Sequence, residues 1–330
     1  MERQLATTQQ SSTHASEQRQ AVWPLVSVVT PSFNQAPFLE ATIGSVLSQD
    51  YPNLEYLIMD GGSTDGSAEI IRRYEDRLAS WVSERDRGQS DAINKGWRRA
   101  RGEIIAYLNS DDLYLPGAVR RAVEYLQAHP EVAVVYSDCL PVDRAGQASG
   151  PALRMPPFSF EWLLTHPLPQ PTMFVRREVI ERIGLMDEAL YYTMDWDWCL
   201  RAVVAGFRFH KLDGEPLAAF RWWDGQKTHG GFERQIDEHW LIRDRLLASD
   251  GMTAPMAKQT RLSKGWCCLY PAYLYHQQGH RAKALRVLGR AVSAYPPILW
   301  HRDFLKLLPR VLVGRGAIDG VRRLLRPATG

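Results

Sequence analysis

EIIAYLNSDD, residues 103–112, changes character at one point. Glu103 to Leu108 reads as a short, buried strand; Asn109, Ser110, Asp111 and Asp112 then follow without a break. Adjacent carboxylates repel, and each raises the pKa of the other. Two of them at a strand end therefore need a cation or hydrogen-bond donors beside them. Hard divalent cations such as Mg²⁺ and Mn²⁺ take oxygen ligands and bridge to phosphates, which makes the pair a candidate metal site. The plainer reading is a turn in which each Asp bonds nearby backbone N–H groups.

Working outward, the same strand-then-polar pattern recurs upstream. LVSVVT (25–30) is a β-branched run followed by the turn signal PSFN (31–34) and a helical spacing over 37–48. LEYLIM (54–59) is a second strand ending at Asp60, followed by the loop GGSTDG (61–66) and a helix over about 67–78. A third strand over 79–83 and a helix over 88–100 lead back to residue 103. Strands alternating with helices predict a parallel sheet with right-handed crossovers. Ligands of such sheets bind at the carboxyl ends of the strands, where Thr30-Pro31, Asp60 and Asp111-Asp112 all fall. DGGSTDGS (60–67) has neither the spacing of a dinucleotide-binding loop nor that of a P-loop. A carboxylate at Asp60 can accept a hydrogen bond from a base N–H or a ribose hydroxyl, and the glycines let a ligand approach the backbone.

Further on, helices are predicted over 119–128, 177–183 and 196–205, and strands over 132–136, 207–212 and 217–222. Residues 141–170 are rich in Pro and loop signals. After about 235 the chain turns helical and basic. Residues 251–330 hold 14 Lys and Arg against two acidic residues, so the net charge of +3 hides an acidic first part. Ala282, Leu285, Leu288, Ala291 and Val292 form an apolar stripe, paired with 273–278 in a helical hairpin. The organisation expected is a disordered leader over 1–22, an α/β domain over 23–235 and a basic helical extension over 236–330. Four cysteines, none in a CxxC pair, fit a reducing compartment. No run of 18 apolar residues is present, so no transmembrane span is expected.

PSFNQ (31–35), SVLSQDYPNLEYLIMDGGSTDGS (45–67), DRGQSDAINKGWRRARGEIIAYLNSDD (86–112) and MDWDWCLR (194–201) together resemble the inverting glycosyltransferases of family 2. The resemblance covers roughly residues 24–230. It implies the GT-A fold: a Rossmann-like mixed sheet flanked by helices, here with a C-terminal helical extension. It implies a divalent cation, Mg²⁺ or Mn²⁺, and a nucleotide-diphospho-sugar donor. It sets Thr30, Pro31, Ser32, Asn34, Asp60, Ser63, Asp65, Asp91, Lys95, Asn109 and Ser110 around that donor. Asn109 stands where the family's first metal-motif Asp would be, so Asp111 is the expected ligand, with Asp112 beside it. Asp195 matches the general base, although Met194 replaces a Glu and leaves Asp197 as an alternative; either also suits a helix start. Arg221, Lys227 and His229 are candidates around the diphosphate, His229 as a further metal ligand. Trp162, His166 and Gln170 are candidates for the acceptor side.

The function expected is transfer of a sugar to an acceptor hydroxyl in polysaccharide or surface-glycan assembly. A glycan or lipid-linked acceptor is implied, with the basic extension at an anionic membrane surface of the cytoplasmic face. No nucleic-acid partner is expected. Two other functions compete: a nucleotidyltransferase, disfavoured because PSFNQAPF lacks a Gly-rich basic loop, and a binding module that has lost turnover, favoured only by Asn109 and Met194.

Overall fold

The central strand of the computed structural model, which describes residues 23–227 and 232–313, is β1 (Val26–Ser32), buried along its whole length. It lies parallel between β2 (Leu54–Asp60) and β4 (Ile104–Tyr107). β3 (Ser80–Ser83) pairs parallel with the far side of β2. Their side chains alternate strictly. Val28, Ile58 and Ala106 enter one apolar layer; Val29, Leu57, Met59 and Ile105 enter the other. Burial on both faces explains why these strands read as continuous apolar runs rather than as an alternating pattern.

Helices α1 (Ala36–Leu47) and α4 (Ala118–Ala128) cover the first face, and α3 (Gln89–Arg99) covers the second. The chain steps outward from β1 to β3, then returns beneath α3 to reach β4 on the other side of β1. This reversal opens a crevice between the carboxyl ends of β1 and β4. Gly96 lets α3 lie close: a Cβ there would stand 2.3 Å from a Val29 methyl.

Beyond β4 the sheet continues through β8 (Phe174–Arg176), β6 (Val134–Tyr136) and β9 (Phe209–Lys211). β8 runs antiparallel to both neighbours, so the seven-stranded sheet is mixed. A second, three-stranded sheet joins β5 (Leu113–Tyr114), β10 (Ala218–Arg221) and β7 (Cys139–Val142). It starts directly after Asp112. β5, β7 and β8 were not expected from the sequence. They hold two to four residues each, and β7 contains Pro141. The helix expected over 67–78 is shorter: α2 (Ser67–Arg72) gives way to a 3₁₀ turn at Glu75–Arg77.

The C-terminal helices are α8 (Phe232–Leu247), α9 (Ala254–Trp266), α10 (Leu269–Gln277), α11 (Arg281–Ala294) and α12 (Arg302–Val313). They enclose a separate apolar cluster that includes Cys268, Ala272, Ala284, Leu288, Phe304 and Leu307. α8 serves both layers: Ile236 packs in this cluster, Ile242 and Leu246 in the sheet-side core. The buried stripe of α11 is Ala284, Val287, Leu288 and Ala291; the expected Ala282 is exposed. The cysteines of the described residues are free thiols, and no described helix is long and apolar enough to cross a membrane. The expected leader over residues 1–22 lies outside the described residues.

Candidate active site

The loops after β1 and β2 form one wall of the crevice. Asp60 is buried at the end of β2. Its Oδ2 accepts the N–H of Ser63 at 2.9 Å and the Ser83 hydroxyl at 2.6 Å; its Oδ1 accepts the Ser63 hydroxyl at 2.5 Å. The two loops are stitched together. Asn34, at φ +53°, accepts the Thr64 N–H with its side chain and donates its own N–H to Ser63 Oγ at 2.7 Å. Asp65 accepts the Ala36 N–H at 2.9 Å and the Ser67 hydroxyl at 2.6 Å. Burial works to raise the Asp65 pKa, but these hydrogen bonds prevail and hold it below the ordinary carboxylate value. Asp65 thus sets the loop's shape. The Thr30 hydroxyl is paired with Tyr56 OH beneath the sheet, so only its backbone borders the crevice. The Ser32 hydroxyl is buried with no hydrogen-bond partner among the described residues. An orphaned donor at this strand end suits a ligand that accepts a hydrogen bond.

α3 supplies the next side. The Arg87 side chain and N–H bond Asp91 at 3.0 and 3.1 Å and hold its carboxyl below the usual range. Lys95 bridges Glu84 at 3.0 Å and Asp91 at 3.6 Å. Asp86 faces Gly61, where a Cβ would stand 2.5 Å from its Oδ2. Burial raises the Asp86 pKa, with the Asp91 and Asp60 charges adding to it.

At the end of β4 the paired carboxylates differ sharply. Asp112 is fully buried and accepts the Arg221 N–H at 3.1 Å. Burial, then the charge of Asp111, pushes its pKa well above the ordinary value. It sits behind the crevice, which corrects its expected role as a metal ligand. Asp111 is partly exposed and accepts the Trp223 indole N–H at 2.9 Å. Burial raises its pKa as well, against the indole hydrogen bond. Ser110 is buried, and its carbonyl and that of Asp112 accept the Thr42 hydroxyl, pinning this turn to α1. Arg221 is also corrected. It is buried, with Nε on the Asp111 carbonyl at 2.8 Å and Nη1 on the Arg144 carbonyl at 2.7 Å, so it builds the turn rather than facing a diphosphate.

A chain of side-chain amides runs across the crevice. Lys227 Nζ donates to Gln89 Oε1 at 2.9 Å, and Gln89 Nε2 donates to Asn109 Oδ1 at 2.7 Å. Asn109 Nδ2 donates to Gln170 Oε1 at 3.1 Å, and Gln170 Nε2 ends on the Tyr107 carbonyl at 2.7 Å. An ammonium at one end only donates and a carbonyl at the other only accepts, so every amide in between has one consistent orientation. Asn109 therefore fills the place of a carboxylate with a neutral, fixed group.

Asp195 lies at the start of α7 (Met194–Val204), partly exposed, with Oδ1 accepting the Trp196 N–H at 2.8 Å. Burial raises its pKa, and the Lys227 charge opposes this. Burial lowers Lys227 to about 8 against the charges of Asp195 and Glu238. Two turns of the same logic separate Asp195 from Asp197. Asp197 is buried, ion-paired to Arg201 Nε at 2.7 Å, and lines a different groove with Asp187 and Arg245. That placement favours Asp195 over Asp197 as the base.

Glu238 and Gln89 had no counterpart in the sequence reading. Glu238 on α8 is buried and accepts the N–H groups of Tyr191 and Tyr192 at 2.8 Å each and the Thr193 hydroxyl at 3.0 Å. It fixes the turn that delivers Asp195. Only Gln89's place in the DRGQSD segment hinted at its role. Of the acceptor-side candidates, Gln170 joins the amide chain. Trp162 and His166 stack on each other at 4.8 Å next to Leu163, whose carbonyl accepts the Trp196 indole N–H. His229 lies outside the described residues.

The described residues gather no group of three His, Cys, Asp or Glu for a cation. Of the adjacent pair at the end of β4, Asp111 is the one exposed enough to serve. Mg²⁺ in particular is commonly held by one or two carboxylates plus substrate phosphates, so Asp111 fits a cation that arrives with a diphosphate.

Residues 27–184 match the model of "Glycosyl transferase family 2". An uncharacterised glycosyltransferase of Mycobacterium tuberculosis is 32% identical over 188 residues, 55% of this chain and 70% of that one. One from Rickettsia typhi is 29% identical over 66% of this chain and 69% of that one. The putative teichuronic acid biosynthesis glycosyltransferase TuaG of Bacillus subtilis is 39% identical over 31% of this chain and 42% of that one. Among solved structures, S. aureus TarS 1-349 in complex with UDP-GlcNAc aligns at TM-score 0.66 and 17% identity, covering 90% of this chain and 89% of that one. The mannosyltransferase PcManGT from Pyrobaculum calidifontis, in complex with GDP-Man and Mn²⁺, aligns at 0.58 and 22%, covering 93% and 82%.

Proposed function

From its place in glycosyltransferase family 2, with the GT-A fold, we propose that this enzyme is a cation-assisted, inverting transferase. It moves a sugar from a nucleotide-diphosphate donor to the hydroxyl of a glycan or lipid-linked acceptor, in the building of a surface polysaccharide. The observation that carries this reading is the amide chain that couples Lys227, beside Asp195, to Asn109 next to Asp111. It supports a base and a leaving-group site facing each other across one crevice. The complexes of TarS with UDP-GlcNAc and of PcManGT with GDP-Man and Mn²⁺, and the teichuronic acid role named for TuaG, support the donor, the cation and the polysaccharide setting respectively.

In the proposed reaction the acceptor oxygen bonds to the anomeric carbon as its proton passes to Asp195. The bond from that carbon to the diphosphate oxygen breaks on the opposite face. A single displacement with no covalent sugar–enzyme intermediate inverts the configuration. A carboxylate whose pKa is raised by loss of solvent is a better base than one with the ordinary value. Lys227 Nζ reaches across to Gln89, itself bonded to Asn109 next to Asp111, so its ammonium stabilises negative charge gathering on the leaving group. A divalent cation bound by Asp111 and the donor phosphates would supply further charge stabilisation there.

A thermal-shift panel of uridine, guanosine and thymidine diphosphates, with and without Mn²⁺, identifies the nucleotide of the donor. The anomeric configuration of the product, read by NMR, then tests the mechanism: inversion is expected, and retention overturns it.

A further inference from the structure

α12 has two faces that both carry apolar residues. Phe304, Leu307 and Val311 point into the helical cluster. The opposite face, at 100° per residue, holds Arg302, Leu305, Lys306, Pro309, Leu312 and Val313, every one of them exposed. Leu305 is 51% exposed and Val313 55%. On the 3₁₀ turn that precedes the helix, Trp300 is 83% exposed, the most of any large apolar side chain described. Trp266 at the end of α9, also exposed, lies against His301 at 4.3 Å and extends the patch.

The helical region holds both paired and unpaired cations. Lys264, Lys283 and Arg290 are paired with Asp244, Glu233 and Asp237. Arg302, Lys306 and Arg310 pair with no carboxylate among the described residues. The one acidic residue beside them, Asp303, lies 3.9 Å from His301. The sequence that follows, residues 314–330, adds four arginines and one aspartate.

We propose that this face docks on an anionic lipid bilayer, with Trp300, Leu305, Leu312 and Val313 in the headgroup–acyl boundary and Arg302, Lys306 and Arg310 on the lipid phosphates. Exposed Trp and Leu interleaved with unpaired Lys and Arg on a surface helix match the physics of interfacial binding. The basic residues match the charge of the partner. A soluble protein partner would leave the unpaired cations needing a matching acidic surface of its own; a phosphate-rich plane supplies that everywhere. This inference stands on the α12 face and not on the transferase reading.

The test is co-sedimentation of the full chain with vesicles of phosphatidylcholine alone or mixed with phosphatidylglycerol. Binding is expected to the mixed vesicles at low salt and to weaken as salt rises. Combined Arg302→Gln, Lys306→Gln and Arg310→Gln should abolish it. Trp300→Ser with Leu305→Gln should weaken it at least ~10-fold, tenfold being the smallest change that marks a real loss of binding free energy. All five positions are exposed, and unchanged melting temperatures and unchanged donor hydrolysis in solution confirm folded protein. Absence of binding by the native chain, or equal binding by the variants, overturns the proposal. So does binding that appears only after removal of residues 314–330, which would mean that the tail covers the face, or a native dimer that Trp300→Ser dissolves.

Discussion

Trp223 donates its indole N–H to Asp111 Oδ2 at 2.9 Å, while its ring packs on Phe38 at 4.9 Å. The hydrogen bond fixes one oxygen of the carboxylate expected to hold a cation. Partners of this kind commonly hold a metal ligand in position, and removing them costs roughly 10–100-fold in metal affinity. Trp223→Phe keeps the ring and loses the donor. The Mn²⁺ concentration that half-activates donor turnover should rise by about that factor. An unchanged Mn²⁺ titration would remove Trp223 from any role in cation binding.

Asp195 and Asp197 should separate cleanly. Asp195→Asn leaves the fold intact and should lower kcat by roughly 10²–10⁴ with little change in donor KM, as for loss of a single acid–base group. Asp197→Asn removes the charge that Arg201 bonds at 2.7 Å in a buried setting. It should lower stability by about 1–3 kcal/mol and leave kcat near native. Denaturant unfolding and steady-state kinetics on both variants decide the assignment; the reverse pattern exchanges the two roles.

Lys227 gives the pH profile its basic limb. Burial lowers its pKa to about 8, so its charge is present below that pH and lost above it. Burial raises Asp195, so the base form is present only above a pKa higher than that of an ordinary Asp. Activity should thus rise as Asp195 deprotonates and fall as Lys227 deprotonates, giving a bell in kcat/KM, which reports the free enzyme. Lys227→Arg, which stays charged, should flatten the basic limb. A basic limb unchanged in that variant assigns it to another group.

Glu238 holds the turn over residues 191–193, and under the proposed mechanism it acts by positioning Asp195. Glu238→Gln replaces two equivalent acceptor oxygens by one oxygen and one donor, so it cannot accept every N–H of residues 191–193. The expected outcome is a roughly tenfold lower kcat with donor affinity retained, in keeping with the cost of small misplacements at a reacting centre. The pH profile should keep its native shape. A loss confined to donor KM would show that the turn serves the donor instead.

Gly61→Ala tests the donor wall. Its Cβ would come within 2.5 Å of Asp86 Oδ2, so the loop or Asp86 must move. Overpacking of this kind costs about 1–3 kcal/mol. Expressed at the crevice, that is a loss of nucleotide affinity of about 5- to 150-fold, measured by calorimetry. Native affinity would place the nucleotide away from residues 60–65.

Much of this arrangement was legible in the chain. β1, β2 and β4 announce themselves because both faces are buried, so apolar residues dominate them, with Ser27 and Glu55 bonded to each other as an internal polar pair, and the polar clusters begin where each strand ends. β7 and β8 were not legible: a strand of three or four residues within a Pro-rich stretch carries too few positions to show a period. Arg221 was misjudged for a related reason. A basic residue next to two tryptophans gives no sign of whether its guanidinium faces solvent or carbonyls, and here three loops close over it. Glu238 was invisible because its partners are backbone groups some 45 residues earlier, and backbone groups leave no mark on composition.

β8 runs opposite to β4, so the crevice meets the beginning of that strand and not its finish. Gln170, just upstream of β8, is thereby anchored to Tyr107, while the stretch from 143 to 169 is tied down at both ends by residues it does not itself contain. Between its bridge to β7 at Leu153 and its buried Leu163 and Leu164, the exposed turns of this stretch can change length without disturbing the parallel strands. Under the proposed reaction, one framework would thereby diversify its acceptors while keeping its donor.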